Sequence, residues 1–211
     1  MAEEDVSVSL AKYYKSDFKQ LSWNEYGKIL EDLYEKVSSY VKKKKIKIDA
    51  VVTILRGGAF PGGFLAHRLH LLRILPIQYK YFFVKGKIKL KKLLDVPKTN
   101  LPKKPTFLLV ENNHCFGLTA TTAAKYLKQK FPGCKIIYAA DTMDYSFAKN
   151  EFADVLFYGR YTNDTKKLPK EKAKKLGIDV KMWLYPWENL KEEWTTVQGK
   201  QFKYKDLGEK I

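Results

Sequence analysis

Short apolar segments rich in β-branched residues alternate along this chain with longer segments that repeat apolar residues at helical spacing. Ala50–Leu55 shows the first pattern, and residues 22–40 show the second. Alternation of strand and helix predicts an α/β fold with a mainly parallel, twisted sheet and helices on both faces. The predicted strands are Ala50–Leu55, Ile77–Val84, Phe107–Val110, Lys135–Ala140, Val155–Tyr158 and Met182–Tyr185.

Local signals predict where three helices begin. Ser22-Trp23-Asn24-Glu25 has the capping-box form, and the helix behind it ends in the lysine run Lys42–Lys45, which suits the negative end of a helix dipole. Pro61 suits the first turn of a second helix, predicted to run to Leu72. A third helix is predicted from Thr119 to about Lys130.

Length and composition fit one globular domain spanning residues 1–211, with residues 1–20 expected to be loosely ordered. The acidic start carries no secretory signal, and no apolar run reaches the ~20 residues needed to span a bilayer. Two cysteines, Cys115 and Cys134, make no disulfide framework and favour a reducing compartment. We therefore expect a cytoplasmic protein without a membrane partner.

The net charge of +17 raises the question of a polyanionic partner. Nearly all of the positive charge is lysine scattered along the chain, whereas arginine supplies the bidentate fork that reads phosphates and guanines. The pattern is typical of a solvated lysine-rich surface, with attraction of polyanionic ligands as the alternative. Nucleic-acid binding is not the expected function. The arginines are Arg56, Arg68, Arg73 and Arg160.

Two predicted strand-to-helix loops have the composition of ligand loops, which in such sheets lie beyond the carboxyl ends of the strands. Arg56-Gly57-Gly58 combines a fixed charge with glycines that let a backbone nest approach an anion, although a tight turn needing two glycines would look the same. Glu111 ends a strand, and Gly117 and Thr119 precede a helix. That pattern suits a ribose phosphate, with the carboxylate at the sugar hydroxyls and the helix start at the phosphate. The alternative is that Thr119 merely caps the helix.

Together the loops carry a resemblance to type I phosphoribosyltransferases, closest to the xanthine-guanine and other 6-oxopurine enzymes. Arg56–Ala66 resembles their pyrophosphate loop and following helix, and Glu111–Thr119 their ribose-phosphate motif. Two further segments occur in the order that the family has along its sequence. They are Ser22-Trp23, at the start of the first helix, and Met182–Glu188, a Trp–Pro-Trp-acid segment. The resemblance implies transfer of a phosphoribosyl group from phosphoribosyl pyrophosphate, held with Mg²⁺, to a purine-like base in nucleotide metabolism. It also implies a homodimer.

The resemblance also implies roles for individual residues. Arg56 and Gly57 would contact pyrophosphate, and Glu111 and Asn112 the ribose hydroxyls and the metal. The segment Lys85–Lys104 would be a mobile loop or small hood over the site, or else an exposed linker. The implied 5′-phosphate cradle is Cys115, Phe116, Gly117, Leu118 and Thr119, and the implied base contacts are Trp183, which could instead be a core residue, and the Leu184 backbone.

The chain departs from the family pattern where catalysis would occur. Asn112 replaces an acid, and Cys115 replaces the expected proton acceptor, although a cysteine of ordinary pKa is mostly protonated at neutral pH. Strand alternation would aim His114 elsewhere. Asp141 lies near a position where the family often has a lysine for the 6-oxo group, so it is a candidate base contact or a turn cap. Phe116 and Leu118 are also unusual in a phosphate cradle.

Three hypotheses follow from these departures. The first is an enzyme, a glycosyltransferase with an atypical motif in which Glu111, Asn112 and Cys115 are the catalytic candidates. The second is a regulatory protein that binds a nucleotide or phosphoribosyl pyrophosphate and has lost turnover, as Asn112 and Cys115 favour. The third is a nucleic-acid-interacting protein that uses the former active-site face. The residues that fit the family motifs favour the first two hypotheses over the third. They are Glu111, Gly117, Thr119, Arg56 and Trp183.

Overall fold

The computed structural model describes residues 5–6, 13–84, 87–147, 151–198 and 200. The strands are β1 Asp5–Val6, β2 Phe18–Gln20, β3 Ala50–Leu55, β4 Ile74–Val84, β5 Lys87–Leu94, β6 Thr106–His114, β7 Lys135–Asp144, β8 Val155–Thr162 and β9 Met182–Leu184. The helices are α1 Trp23–Lys44, α2 Ala59–Arg68, α3 Leu118–Lys130, α4 Lys170–Lys175 and α5 Leu190–Val197, with 3₁₀ turns at Lys15–Asp17 and Tyr145–Phe147.

A seven-stranded sheet organises the chain, in the order β1-β5-β4-β3-β6-β7-β8. Five adjacent strands of this sheet are parallel to one another, namely β4, β3, β6, β7 and β8. The strand β5 is antiparallel to β4, and β1 is antiparallel to β5. The short strands β2 and β9 form a separate parallel pair. The predicted α/β fold with a mainly parallel sheet is confirmed.

Alternation along the central strands places apolar side chains on both faces of the sheet. In β3, Val52 joins the cluster packed under α3 with Leu127, whereas its neighbour Val51 joins the cluster under α1 and α2 with Leu33 and Leu65. Strands covered on both faces read as continuous apolar runs, which is why β3 could be found from its composition. The helices thereby fix the ends of β3 and β6, where the candidate loops begin.

The predicted start of α1 is confirmed by its hydrogen bonds. The Glu25 N–H donates to Ser22 Oγ at 3.2 Å, and the Ser22 N–H donates to Glu25 Oε2 at 2.9 Å. The helix ends with Lys42–Lys44 in its last turn. The second helix was predicted less well, because α2 begins two residues before Pro61 and ends at Arg68 rather than Leu72.

Two central strands are longer than predicted. The strand β6 continues to His114 because Asn113 and His114 pair in register with Thr142 and Met143 of β7, which itself continues to Asp144. The polar residues that we assigned to a loop after Val110 therefore belong to the sheet. The tertiary ladder overrides the polar composition at these positions.

The lysine-rich segment is part strand and part irregular in its described residues, because residues 95–104 form no helix or strand. Residues 87–94 form β5, paired antiparallel with β4, while residues 85–86 lie outside the described residues. Of the predicted loose N-terminus, residues 13–20 form a 3₁₀ turn and β2, and residues 1–4 and 7–12 lie outside the description. No helix in the described part of the chain is long and apolar enough to cross a membrane.

Candidate functional site

A cavity of about 280 Å³ opens where β6 ends and α3 begins. Half of its lining comes from the stretch Glu111–Thr119. Further lining residues come from β9, from the segment before α5 and from α5 itself, which contributes Glu193, Thr196 and Val197. Other residues that line it are Tyr13, Tyr81, Asp164, Met182 and Glu188.

The start of α3 forms the cradle of this cavity. Gly117 has φ +71°, and a Cβ at that position would stand 2.6 Å from the His114 ring. Thr119 is not the helix cap, since Gly117 holds the cap position and the Thr119 hydroxyl lies 2.6 Å from Tyr81 Oη. The first N–H groups of a helix have no carbonyl partner within the helix, so this turn can receive an anion.

Glu111 is almost fully buried at the cavity floor, with 9% of its surface exposed. The Tyr138 hydroxyl donates to Glu111 Oε2 at 3.0 Å. Burial raises the pKa of Glu111 to about 7, so the carboxyl is partly protonated at neutral pH. His114 is buried beside Tyr138, and burial lowers its pKa to about 4. His114 is therefore a neutral ring that packs under the cradle, as strand alternation predicted.

Asn112 joins the cavity to the segment before α5. Its Nδ2 donates to Glu188 Oε1 at 3.3 Å, and Glu188 Oε2 accepts from the Tyr185 N–H at 2.9 Å. Burial and the nearby carboxylate of Glu193 raise the pKa of Glu188. With the Asn112 amide presenting its N–H₂ group and Glu111 held by Tyr138, this pair does not fit a resident magnesium site. The described residues contain no cluster of three or more acidic, histidine or cysteine side chains suited to a metal ion.

Cys115 lines the cavity as predicted, but its chemistry is not that of a base. Burial and the neighbouring carboxylates of Asp164 and Asp144 raise its pKa well above the ordinary cysteine value. The side chain is therefore a neutral thiol at physiological pH. A protonated thiol is a poor proton acceptor, which argues against the hypothesis that Cys115 takes the place of the missing aspartate.

The Arg56 loop lies next to the cavity because β3 pairs with β6. Gly57 packs directly on the Asn112 side chain, so a Cβ there would collide with the amide. The Arg56 side chain is 62% exposed and forms an ion pair with Glu192 of α5. Lys80 Nζ lies 4.0 Å from the same carboxylate. The loop is open to solvent, and its anion partner in this structure is the protein's own Glu192.

The predicted base contacts do not reach the cavity. Trp183 packs at the edge of the cluster around Tyr26, and its Nε1 donates to Asp179 Oδ2 at 3.2 Å on the other side of β9. The Leu184 carbonyl instead accepts from the Leu21 N–H at 2.8 Å. Successive strand residues point to opposite faces, so Met182 faces the cavity and Trp183 turns away.

Asp141 is neither a turn cap nor a base contact in this structure. It lies within β7, fully buried, and accepts from the Tyr26 hydroxyl at 2.8 Å. Burial raises its pKa well above the ordinary range, while the hydrogen bond from Tyr26 lowers it. The prediction failed because we ended β7 at Ala140, which made Asp141 look like a loop residue.

The sequence analysis overlooked Asp164. It follows β8 by two residues and is 2% exposed. The polar run Thr162–Thr165 was a usable signal, because it begins four residues after the predicted strand Val155–Tyr158 and ligands gather at the carboxyl edge of such sheets. Tyr13 and Tyr81 carry no comparable signal, since each reaches the cavity only through the tertiary fold.

Comparisons with known proteins agree on the fold. A purine phosphoribosyltransferase from Pyrococcus horikoshii is 21% identical, with a TM-score of 0.58 over 82% of this chain and 95% of that one. The Helicobacter pylori xanthine-guanine-hypoxanthine phosphoribosyltransferase is 18% identical, with a TM-score of 0.60 over 85% and 99%. A hypothetical protein from Neisseria gonorrhoeae with bound ppGpp is 16% identical, with a TM-score of 0.61 over 85% and 93%.

These identities define the fold and not the reaction. The chain has the architecture of the type I purine phosphoribosyltransferases, as the motifs had indicated. No protein-family model matches the chain. No curated protein matches it in sequence either.

Proposed function

We propose that this protein is a phosphoribosyltransferase that transfers a phosphoribosyl group from phosphoribosyl pyrophosphate to a purine-like base. The observation that carries the proposal is the helix-start cradle at Gly117–Thr119, which opens into the same cavity as the buried Glu111. A phosphate at the cradle would place the attached ribose over Glu111. A protonated Glu111 can both donate to and accept from sugar hydroxyls.

The neighbouring loop supplies the second anion contact of this proposal. Arg56 and Gly57 adjoin Asn112, so a pyrophosphate at this loop would lie beside the ribose on the β3 side. Glu192 holds Arg56 in the absence of substrate, and the pyrophosphate would replace that carboxylate. Mg²⁺ enters this proposal as part of the substrate, as the magnesium complex of phosphoribosyl pyrophosphate, because Glu111 and Asn112 do not fit a resident ion.

Met182 is the side chain that we assign to the base. It lines the same cavity as the cradle, and a thioether packs readily against an aromatic face. Trp183, on the outer face of β9, has no part in this assignment.

A second candidate is a nucleotide-binding protein without turnover. Two observations favour it, namely the neutral Cys115 thiol where the family has its proton acceptor and the Arg56 charge already paired with Glu192. The fold neighbour from Neisseria gonorrhoeae binds the nucleotide ppGpp. Both candidates require the same cavity, and they differ only in whether a bond is made there.

One assay separates the two candidates. Phosphoribosyl pyrophosphate and Mg²⁺ are mixed with labelled hypoxanthine, guanine, xanthine or adenine, and nucleotide formation is followed beside calorimetric binding of the nucleotides. We expect product with at least one base. Nucleotide binding without product would favour the second candidate, and neither product nor binding would contradict both.

Two adjacent variants test the assignment of the base. Met182→Ala should weaken nucleotide binding about three- to tenfold, in line with the roughly 0.3–1.5 kcal/mol that a contact between a thioether and an aromatic face is worth. Trp183→Ala is the matched control from the other face of the same strand and should bind within about twofold of the unmodified protein. A larger loss of nucleotide affinity in Trp183→Ala than in Met182→Ala would instead assign the base contact to Trp183.

A further inference from the structure

Asp164 is a buried carboxylate with one oxygen left unsatisfied. Its Oδ2 accepts from Asn113 Nδ2 and from Thr162 Oγ1, both at 3.0 Å. Its Oδ1 has no hydrogen-bond partner within the described part of the chain, although Asp164 is only 2% exposed. Burying a carboxylate oxygen without a partner is costly, so such groups call for an explanation.

The unsatisfied oxygen belongs to a side chain that lines the cavity. The carboxylate is held firmly, because Asn113 and Thr162 fix Oδ2 and the Tyr13 hydroxyl donates to the Asp164 backbone carbonyl. A fixed acceptor with a free lone pair suits a ligand that brings an N–H or O–H donor.

Asp164 also lies close to the residue whose predicted role failed. Cys115 lines the same cavity, and the Asp164 charge contributes to keeping its thiol protonated. The cavity therefore has a proton acceptor, but it comes from the end of β8 rather than from the loop after β6.

We propose that Asp164 is a catalytic residue whose Oδ1 accepts the ring N–H proton of the incoming base. The proposal rests on the proposed phosphoribosyl transfer. In that reaction a bond forms between a base nitrogen and C1′ of the ribose, and the bond from C1′ to the pyrophosphate oxygen breaks. The pyrophosphate leaves with the electron pair, and the proton from the base nitrogen goes to Asp164.

The acidity of Asp164 suits this role. Burial raises its pKa to about 6, while the hydrogen bonds from Asn113 and Thr162 lower it and the charge of Asp144 raises it. An acceptor with a pKa near the working pH is the most effective general base. The other titratable or charged groups that act on Asp164 or on Cys115 beside it are Tyr13, Glu111, Lys167, Tyr185 and Glu188.

The test is Asp164→Asn, which keeps the shape and removes the base. We expect the rate of nucleotide formation to fall about 10²–10⁴-fold, the usual cost of losing a positioned base, with product-nucleotide affinity within about threefold. The rate of the unmodified protein should rise with pH through about 6, and the variant should lack this rise. The matched control is Asp141→Asn, another buried aspartate with an unsatisfied oxygen, which the structure places outside the cavity.

The outcomes separate this proposal from the proposed function. Transfer by Asp164→Asn within about threefold of the unmodified rate, with the same pH profile, would overturn the role of Asp164 and leave the transferase standing. No transfer by the unmodified protein would overturn both. If Asp164→Asn does not fold, the same assay is run on Asp164→Ala, whose rate should rise when formate is added as a replacement base. A folded Asp164→Ala that formate does not rescue would count against the proposal.

Discussion

The two loops that face the candidate ligand lie side by side, yet they would hold an anion by different means. The Arg56 loop offers a side-chain charge that is 62% exposed and is paired with Glu192. The Gly117 loop offers backbone N–H groups at a helix start, over the buried and neutral His114 ring. The first contact can be exchanged for another carboxylate or phosphate, whereas the second is fixed by the fold.

This difference shows which of the two anion contacts a substrate can take over by exchange. The Arg56–Glu192 ion pair is exposed on its arginine side, and pairs near the surface contribute little to stability, so an incoming pyrophosphate can replace the carboxylate at low cost. The cradle has no such internal competitor in the described residues, and its geometry depends on one left-handed glycine. Three measurements would break or sharpen the contrast.

The largest expected effect comes from Gly117→Ala. The added Cβ would stand 2.6 Å from the His114 ring at φ +71°, so the cradle must shift. Strain of this kind costs about 1–3 kcal/mol, and we expect nucleotide affinity to fall by at least tenfold. Isothermal calorimetry gives the affinity, and thermal unfolding gives the change in Tm.

Gly177→Ala is the matched control for that variant. Gly177 has a similar φ of +67°, but a Cβ there would meet nothing within 4 Å. It should lose stability by about 1 kcal/mol through the backbone alone and keep its nucleotide affinity. Equal losses of affinity in both variants would show that the cradle is not the binding site.

A smaller, opposite effect is expected from Glu192→Gln. Removing the carboxylate removes the negative charge that pairs with Arg56 and lies near Lys80, so pyrophosphate should bind about threefold more tightly, in keeping with the roughly 0.2–1 kcal/mol of an ion pair near the surface. Glu31→Gln, which breaks the comparable Arg68–Glu31 pair far from the site, should leave this affinity unchanged. Unchanged or weaker binding by Glu192→Gln would remove Glu192 as the competitor.

The smallest effect concerns the pH dependence of stability. Because burial raises the pKa of Glu111 to about 7, the folded protein holds this proton more tightly than the unfolded chain does. The stabilisation is complete below about pH 4.5 and is lost as the pH rises through 7, so Tm should fall by a few degrees between pH 5 and pH 8. Glu111→Gln should flatten this slope, and an unchanged slope would contradict the assignment.

The fold and the positions of both loops could be predicted from the sequence alone. The apolar run Ala50–Leu55, the Ser22 capping box and the start of α3 depend on local composition, and all three appear as predicted. Secondary structure can be predicted from the sequence where it depends on adjacent residues, as in a helix cap or a strand buried on both faces.

Only the tertiary structure decided which side chains share the cavity. Pairing between β6 and β7 places polar residues within the sheet and buries Asp141 against Tyr26. Because side chains alternate along β9, Met182 lines the cavity and Trp183 does not. Asp164 and Glu192 reach the site from distant segments of the chain. Contacts of this kind depend on packing across the whole sheet, so they cannot be predicted from the residues next to them in the sequence.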